Sequence, residues 1–330
     1  TTADGLPSND VYHISVASDG SVWVATGGWG LAHFDGAQWA EHAVSEDFLT
    51  IGPHAMAAVS GGAVWLGTDD GLLSFDGTTW QTFANDSVGT IYAIAVADDG
   101  SVWATSQRGV FRFEQDVAGE AWTIYSIDQI EGVLLDHLAV APDGAIWVSQ
   151  RVLPEGKASW RGQGLLRFDG SRWEMYVTDD ALLANRVEHT VKTADGTLWF
   201  FTEGGISCFQ DERWIPCPGA GMGVQVSPSV ARAPDGALWT LTQAGVARFD
   251  GASWVTYDDL PGGSLGKITV APDGSVWVGT YTAPSRGVAQ GHGVARFHDG
   301  TWNVYTANDE GEGALADDFV NDIAPAADGM

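Results

Sequence analysis

Lysine is nearly absent from this 330-residue chain, with three at Lys157, Lys192 and Lys267, and arginine raises the basic total to only 15 against 43 acidic side chains. The resulting net charge of -28 argues against a nucleic-acid partner, because neutralising phosphates requires clustered Lys and Arg. Such acidity suits solubility outside the cell or in salt, and it would attract cations. No apolar run approaches the roughly 20 residues that span a bilayer, so no membrane insertion is expected. The opening residues Thr1 to Gly5 lack the charged and apolar regions of a signal peptide. An extracellular or periplasmic location is expected, with any leader already removed. The chain also lacks a helix-period segment of useful length, a Gly-x-Ser-x-Gly elbow, a phosphate loop, a dinucleotide fingerprint and a Cys-x-x-Cys pair.

Cysteine is scarce as well. Cys208 and Cys217 flank the turn Gln210-Asp211-Glu212-Arg213 of one predicted hairpin, which brings them close across two strands. Either a disulfide, suited to an oxidising compartment, or a pair of buried thiols satisfies that placement.

Tryptophan, by contrast, is abundant and periodic. Rings that follow an Asp-Gly or Gly-Gly turn stand at Trp23, Trp65, Trp103, Trp147, Trp199, Trp239 and Trp277, a spacing of about 40 residues that marks propeller blades. Each unit reads as four strands. Strand A is apolar, strand B carries the first Trp, strand C is Gly-Leu-x-x-Phe-like, and strand D begins at a second Trp: Trp39, Trp80, Trp122, Trp173, Trp214, Trp254 or Trp302. Burial of each ring is worth ~2–3 kcal/mol by area. The expectation is an all-β, seven-bladed propeller of four-stranded antiparallel blades in one domain over 1–330, with seven complete repeats at about 11–306. Residues 319–330 match strand A and the turn of an eighth repeat, or form a ring-closing strand.

Units such as LPSNDVYHISVASDGSVWVAT followed by GLAHFDGAQW resemble the two-component regulator propeller repeat, found in the periplasmic sensor regions of bacterial hybrid histidine kinases and in secreted proteins. The resemblance covers nearly the whole chain and implies the propeller fold and a sensor role. Ala194-Asp195-Gly196-Thr197-Leu198-Trp199-Phe200 is also similar to the streptogramin lyase repeat, a seven-bladed enzyme family. Fold alone transfers no function.

The A-to-B and C-to-D turns are short and repetitive, whereas the B-to-C and D-to-A connections vary, with long insertions at 150–163, 281–292, 45–53, 127–134 and 307–318. Variable loops on a rigid scaffold are where binding resides, so their face is the candidate site. Trp29 and Trp160 fall on B-to-C connections outside the packing repeat and could stack on a sugar or other ring, with Arg161, Tyr281, Arg286 and His292 as further contacts. Alternatively each ring covers its own loop. At the starts of the A strands, His13, His137 and His189 share one aligned position, and Tyr12, His54, Tyr92, Asp136 and Glu188 precede it. Strand alternation implies that only one of the two sets faces the channel.

Two function classes follow. The leading one is non-enzymatic recognition of a small polar or carbohydrate-like ligand, with no cofactor. The alternative, implied by the lyase resemblance, is an enzyme using His13, His137, His189 and Glu188 around a divalent cation such as magnesium. A scaffold for protein partners is a third reading. The loop containing Asp309, Glu310 and Glu312 reads either as a calcium site or as a solvated acidic loop.

Overall fold

The computed structural model describes residues 6–8, 11–16, 22–26, 30–34, 38–43, 54–59, 63–83, 88–97, 99–116, 119–125, 127, 133–154, 160–218, 229–242, 244–260, 264–271, 273–282, 290–308, 315, 318, 320 and 323. Every regular element among them is a strand, and no helix is long and apolar enough to cross a membrane. The first blade holds β1 (Val11–Val16), β2 (Val22–Thr26), β3 (Gly30–Phe34) and β4 (Trp39–Ala43). The second holds β5 (Ala55–Val59), β6 (Ala63–Thr68), β7 (Gly71–Phe75) and β8 (Trp80–Phe83). The third is β9 (Ile91–Val96), β10 (Val102–Ser106), β11 (Gly109–Asp116) and β12 (Gly119–Tyr125). Blade four comprises β13 (Val133–Val140), β14 (Ile146–Val152), β15 (Arg161–Phe168) and β16 (Trp173–Tyr176). Blade five comprises β17 (Val187–Lys192), β18 (Leu198–Thr202), β19 (Gly205–Gln210) and β20 (Arg213–Ile215). In blade six come β21 (Val230–Arg232), β22 (Leu238–Thr242), β23 (Gly245–Phe249) and β24 (Trp254–Tyr257). Blade seven closes the series with β25 (Ser264–Val270), β26 (Val276–Thr282), β27 (Gln290–His298) and β28 (Thr301–Tyr305). Each blade is an antiparallel meander in sequence order, and the fold is a seven-bladed β-propeller.

The chain divides into two compact units, one of Thr1–Val44 with Val224–Met330 and one of Ser45–Gly223. In the second unit, β9 packs against β5 and β13, and β13 against β17, so the first strands of successive blades lie side by side. Second strands such as β2, β10 and β18 are buried along their whole length. Apolar clusters join the second blade to the third around Trp65 and Phe113, the third to the fourth around Trp103 and Phe168, and the fourth to the fifth around Trp147 and Phe200. In the first unit a similar cluster joins blades six and seven around Trp239 and Val278.

A four-part clamp recurs at the turn end of the blades. In blade four, the Asp143 Oδ1 accepts from the Ala145 amide at 3.0 Å, and Oδ2 accepts from Arg167 Nη2 at 3.0 Å. The Arg167 guanidinium lies over Trp147 at 5.9 Å, and Trp147 stacks with Tyr176 at 5.4 Å. Gly144, at φ +81°, supplies the left-handed residue that the Asp-Gly turn needs. The same set is Asp99, Arg112, Trp103 and Tyr125 in blade three, Asp235, Arg248, Trp239 and Tyr257 in blade six, and Asp273, Arg296, Trp277 and Tyr305 in blade seven. In blade one, His33 occupies the cross-strand position of the arginine and stacks on Trp23 at 4.3 Å, with His42 also against that ring at 5.5 Å. In blade five that position, opposite Trp199, belongs to Cys208.

Cys208 and Cys217 are bonded to each other, with Cα atoms 5.3 Å apart, which resolves the choice left open by the sequence. The partial eighth repeat falls mostly outside the described residues. Its beginning nonetheless docks as a blade start does: Asp318 accepts from Gly293 N through its carbonyl and from Ala307 N through its Oδ1, as Asn185 does with Gly164 N and Thr178 N. Val320 and Ile323 then lie against Gly279, as Ile91 lies against Gly67.

Replacing both Cys208 and Cys217 by alanine is expected to cost about 2.5 kcal/mol, the chain-entropy value for so short a loop, measured by denaturant unfolding of the oxidised protein. An unchanged midpoint would show that the bond does not stabilise the blade.

Candidate ligand-binding site

A register shift in the first strands decides what these residues can do together. Against the second strand, β1 shifts between Val11 and His13, β17 between Val187 and His189, β13 between Leu135 and Leu138, and β25 between Leu265 and Ile268, while β9 pairs Ile91 and Ala93 with Ser106 and Thr105. The extra residues are Tyr12, Glu188, Asp136 with His137, Gly266 with Lys267, and Tyr92. A β-bulge interrupts alternation and re-aims side chains. Asp136 and His137 are in contact with each other, and the His137 ring with that of His189.

The densest polar cluster sits at the loop end of blades four and five. Arg151, at the end of β14, donates through Nη2 to Asp136 Oδ1 at 2.8 Å. Asp136 Oδ2 lies 3.3 Å from His137 Nδ1, which is also 3.3 Å from the Ser149 hydroxyl, and the His137 amide donates to that hydroxyl at 3.0 Å. The His137 and His189 rings meet edge to face at 6.2 Å. Arg186 Nε pairs with Glu188 Oε1 at 2.6 Å. Burial pushes the Glu188 carboxyl above its ordinary range, opposed by Arg186 and Arg151 and reinforced by Asp136 and Glu203.

Glycine fixes this junction. A Cβ on Gly162 would fall 2.3 Å from the Arg186 Cα, so the beginning of β15 lies directly on the backbone of Asn185 and Arg186. Trp160 is thereby delivered beside Arg151, whose guanidinium lies 5.8 Å from the ring centroid. Trp160 is 39% exposed, and no described aromatic ring stacks on it. Asp136, Arg151 and Trp160 thus repeat the Asp-Arg-Trp chemistry of the structural clamps at the opposite end of the blade, without the fourth aromatic layer.

The remaining candidates are dispersed. Arg161 is exposed but, by strand alternation, projects from the other face of β15 than Trp160 and Gly162. His54 Nε2 lies 2.7 Å from Asp69 Oδ1, and burial with the nearby Asp69 charge raises the Tyr92 hydroxyl, which makes a smaller polar cluster at blades two and three. Tyr12 is exposed and His13 half-buried on β1. Tyr281 covers Gly266, and His292 is half-buried on β27. Trp29, Arg286, Asp309, Glu310 and Glu312 lie outside the described residues. The sequence singled out the axial carboxylates and Trp160 separately; it missed that Arg151 joins them and that Arg186 completes the set. Arg151, Arg161 and Arg186, basic side chains in an otherwise acidic sequence, were the available signal.

The donor set does not fit a divalent cation. Asp136 is already engaged by Arg151 and Glu188 by Arg186, and among the described residues no three His, Cys, Asp or Glu side chains are disposed to hold a metal ion. The lyase-like assignment of His137, His189 and Glu188 around magnesium finds no support in this geometry.

Because its raised carboxyl favours the protonated state, Glu188 supports folding most below the ordinary glutamate range, and that support is lost as pH rises through the folded value. Glu188→Gln should therefore melt higher than the parent at pH 7.5, with the difference shrinking towards pH 4. A variant that melts lower at neutral pH would mean that the Arg186 pair outweighs burial.

No curated protein matches the chain in sequence. In fold it is similar to the extracellular domain assigned to the hybrid two component system BT3049 of B. thetaiotaomicron, at 16% identity and a TM-score of 0.59 over 92% of this chain and 48% of that one. Streptogramin B lyase is similar at 18% identity and 0.56 over 83% and 91%, respectively. PorZ, a bacterial surface component of the type-IX secretion system of Porphyromonas gingivalis, is similar at 16% and 0.62 over 83% and 46%. The chain spans about half the length of the first and third of these. Such low identities carry the fold alone. In sequence, residues 5–28 match the family model of the two component regulator propeller.

Proposed function

We propose that this propeller is a non-enzymatic ligand-recognition module of the sensor kind, acting outside the cytoplasm, and that it takes a small polar, carbohydrate-like ligand at the loop end of blades four and five. One observation carries the reading: the exposed Trp160 ring is held beside Arg151, itself fixed by Asp136, and among the described residues it lacks the aromatic layer that completes the equivalent stacks elsewhere. A sugar ring offers what is missing, an apolar face for the indole and hydroxyls for the surrounding carboxylates, guanidinium groups and imidazoles. Support for the sensor role comes from the regulator-propeller repeat and from the fold likeness to an extracellular domain of a two component system. The bonded cysteines suit an oxidising compartment.

A glycan-array screen followed by calorimetry tests the site. Trp160→Ala is expected to weaken the best ligand by at least about tenfold, the worth of one base or sugar ring stacked on an aromatic, with the melting temperature nearly unchanged. Arg151→Met should do the same. Binding that survives both substitutions would place the ligand elsewhere and remove this reading.

A further inference from the structure

A second cavity lies at the turn end of the second unit, between blades three and four, with a volume of about 450 Å³. That size is within the range of small-molecule sites. Its lining is mixed: Tyr125, Val140 and Pro142 supply apolar surface, Ser101, Arg112 and three aspartates polar surface, and Phe168, in contact with Tyr125 at 4.6 Å, is buried behind them. Three turns bring carboxylates to its mouth: Asp99, Asp143 and Asp169.

The next junction is closed where this one is open. There, between blades four and five, a Cβ on Gly196 would fall 3.3 Å from the Pro142 ring, Gln210 Nε2 donates to the Asp195 carbonyl at 3.2 Å, and Arg167 reaches Glu212 at 3.8 Å. By contrast, a Cβ on Gly100, Gly144 or Gly170 would meet nothing within 4 Å. The turns around the third and fourth blades stand open where those of the fifth are closed.

The charges at the mouth do not cancel. Asp99 is answered by Arg112 at 3.1 Å and Asp143 by Arg167 at 3.0 Å. Among the described residues Asp169 pairs only with Arg172, at 3.6 Å, and that guanidinium also pairs with Glu174 at 2.6 Å. The Asp169 Oδ1 accepts from the Ser171 and Arg172 amides and from the Ser171 hydroxyl, which holds the carboxyl ionised at any working pH. A permanent anion on an aromatic wall is the recognition chemistry of an organic ammonium group.

We propose that this cleft binds a small organic cation, a flat apolar body carrying one ammonium group, with the body against Tyr125, Val140 and Pro142 and the charge at Asp169. The site is independent of the loop-end site at Trp160.

Calorimetric titration with 2-phenylethylamine and with its neutral match, 2-phenylethanol, tests it. The amine is expected to bind saturably and about tenfold more tightly than the alcohol, the worth of one charge-assisted hydrogen bond. Asp169→Asn, which keeps the Oδ1 acceptor for the turn amides and should melt as the parent does, is expected to abolish most of that preference. Trp160→Ala should leave amine binding unchanged, so that failure here and failure of the loop-end reading are separate results. Equal affinity for amine and alcohol, the absence of saturable binding, or an amine preference that survives Asp169→Asn would each overturn the proposal.

Discussion

The tryptophan on the second strand of each blade is the ring on which the rest is built. In blade four Trp147 is 1% exposed and touches Tyr176 of its own blade and Phe200, Phe209 and Trp214 of the next. One side chain therefore closes both the sheet and the junction between sheets. The ring is too large to be held by packing alone at the end of a strand, and the Arg-Asp pair fixes it from above while tying the A-to-B turn to the third strand. Turn, strand and interface are three consequences of one stack, which is why a blade can be copied with so little else shared between copies.

The exceptions obey the same constraint. Where arginine is missing opposite the tryptophan, other groups take that position: imidazoles in blade one, the disulfide in blade five and Ser74 in blade two, where Phe83 stacks on Trp65 at 5.3 Å. Burial and the neighbouring His33 lower the His42 pKa, so the blade-one stack favours a neutral His42 ring, unlike the permanently charged clamps. In a chain with 15 basic side chains, substituting a covalent bond for a guanidinium releases a scarce cation for use elsewhere.

The fold was legible in the sequence because its signals are local and repeated. Asp-Gly turns, a tryptophan at fixed offset and a glycine opening the third strand place nearly every strand, and the spacing near 40 counts the blades. The candidate site was only partly legible. Asp136, His137, Glu188 and His189 could be aligned, but alternation predicts that neighbours in a strand point apart, and the bulge that overrides it has no residue signature here: Tyr12, Tyr92, Asp136, Glu188 and Gly266 share no side-chain type. Nor could spacing connect Arg151 with Trp160. That contact depends on Gly162 lying against Arg186, a meeting of two blades that only the packed backbone reveals.

The two ends of the blades use the same three residue types to opposite effect. At the turn end, Asp, Arg and Trp are finished by a tyrosine, the indole is removed from water, and the charges serve stability. At the loop end of blade four the carboxylate and guanidinium are set in the same way, yet the indole is 39% exposed and among the described residues no aromatic ring covers it. An exposed, immobilised indole gains more from a partner than a mobile one does, because the ordering entropy of its own side chain has already been spent in the free protein. The Asp136-Arg151 pair costs little as a partly exposed ion pair and contributes little to folding. It sets the Arg151 guanidinium beside the Trp160 ring.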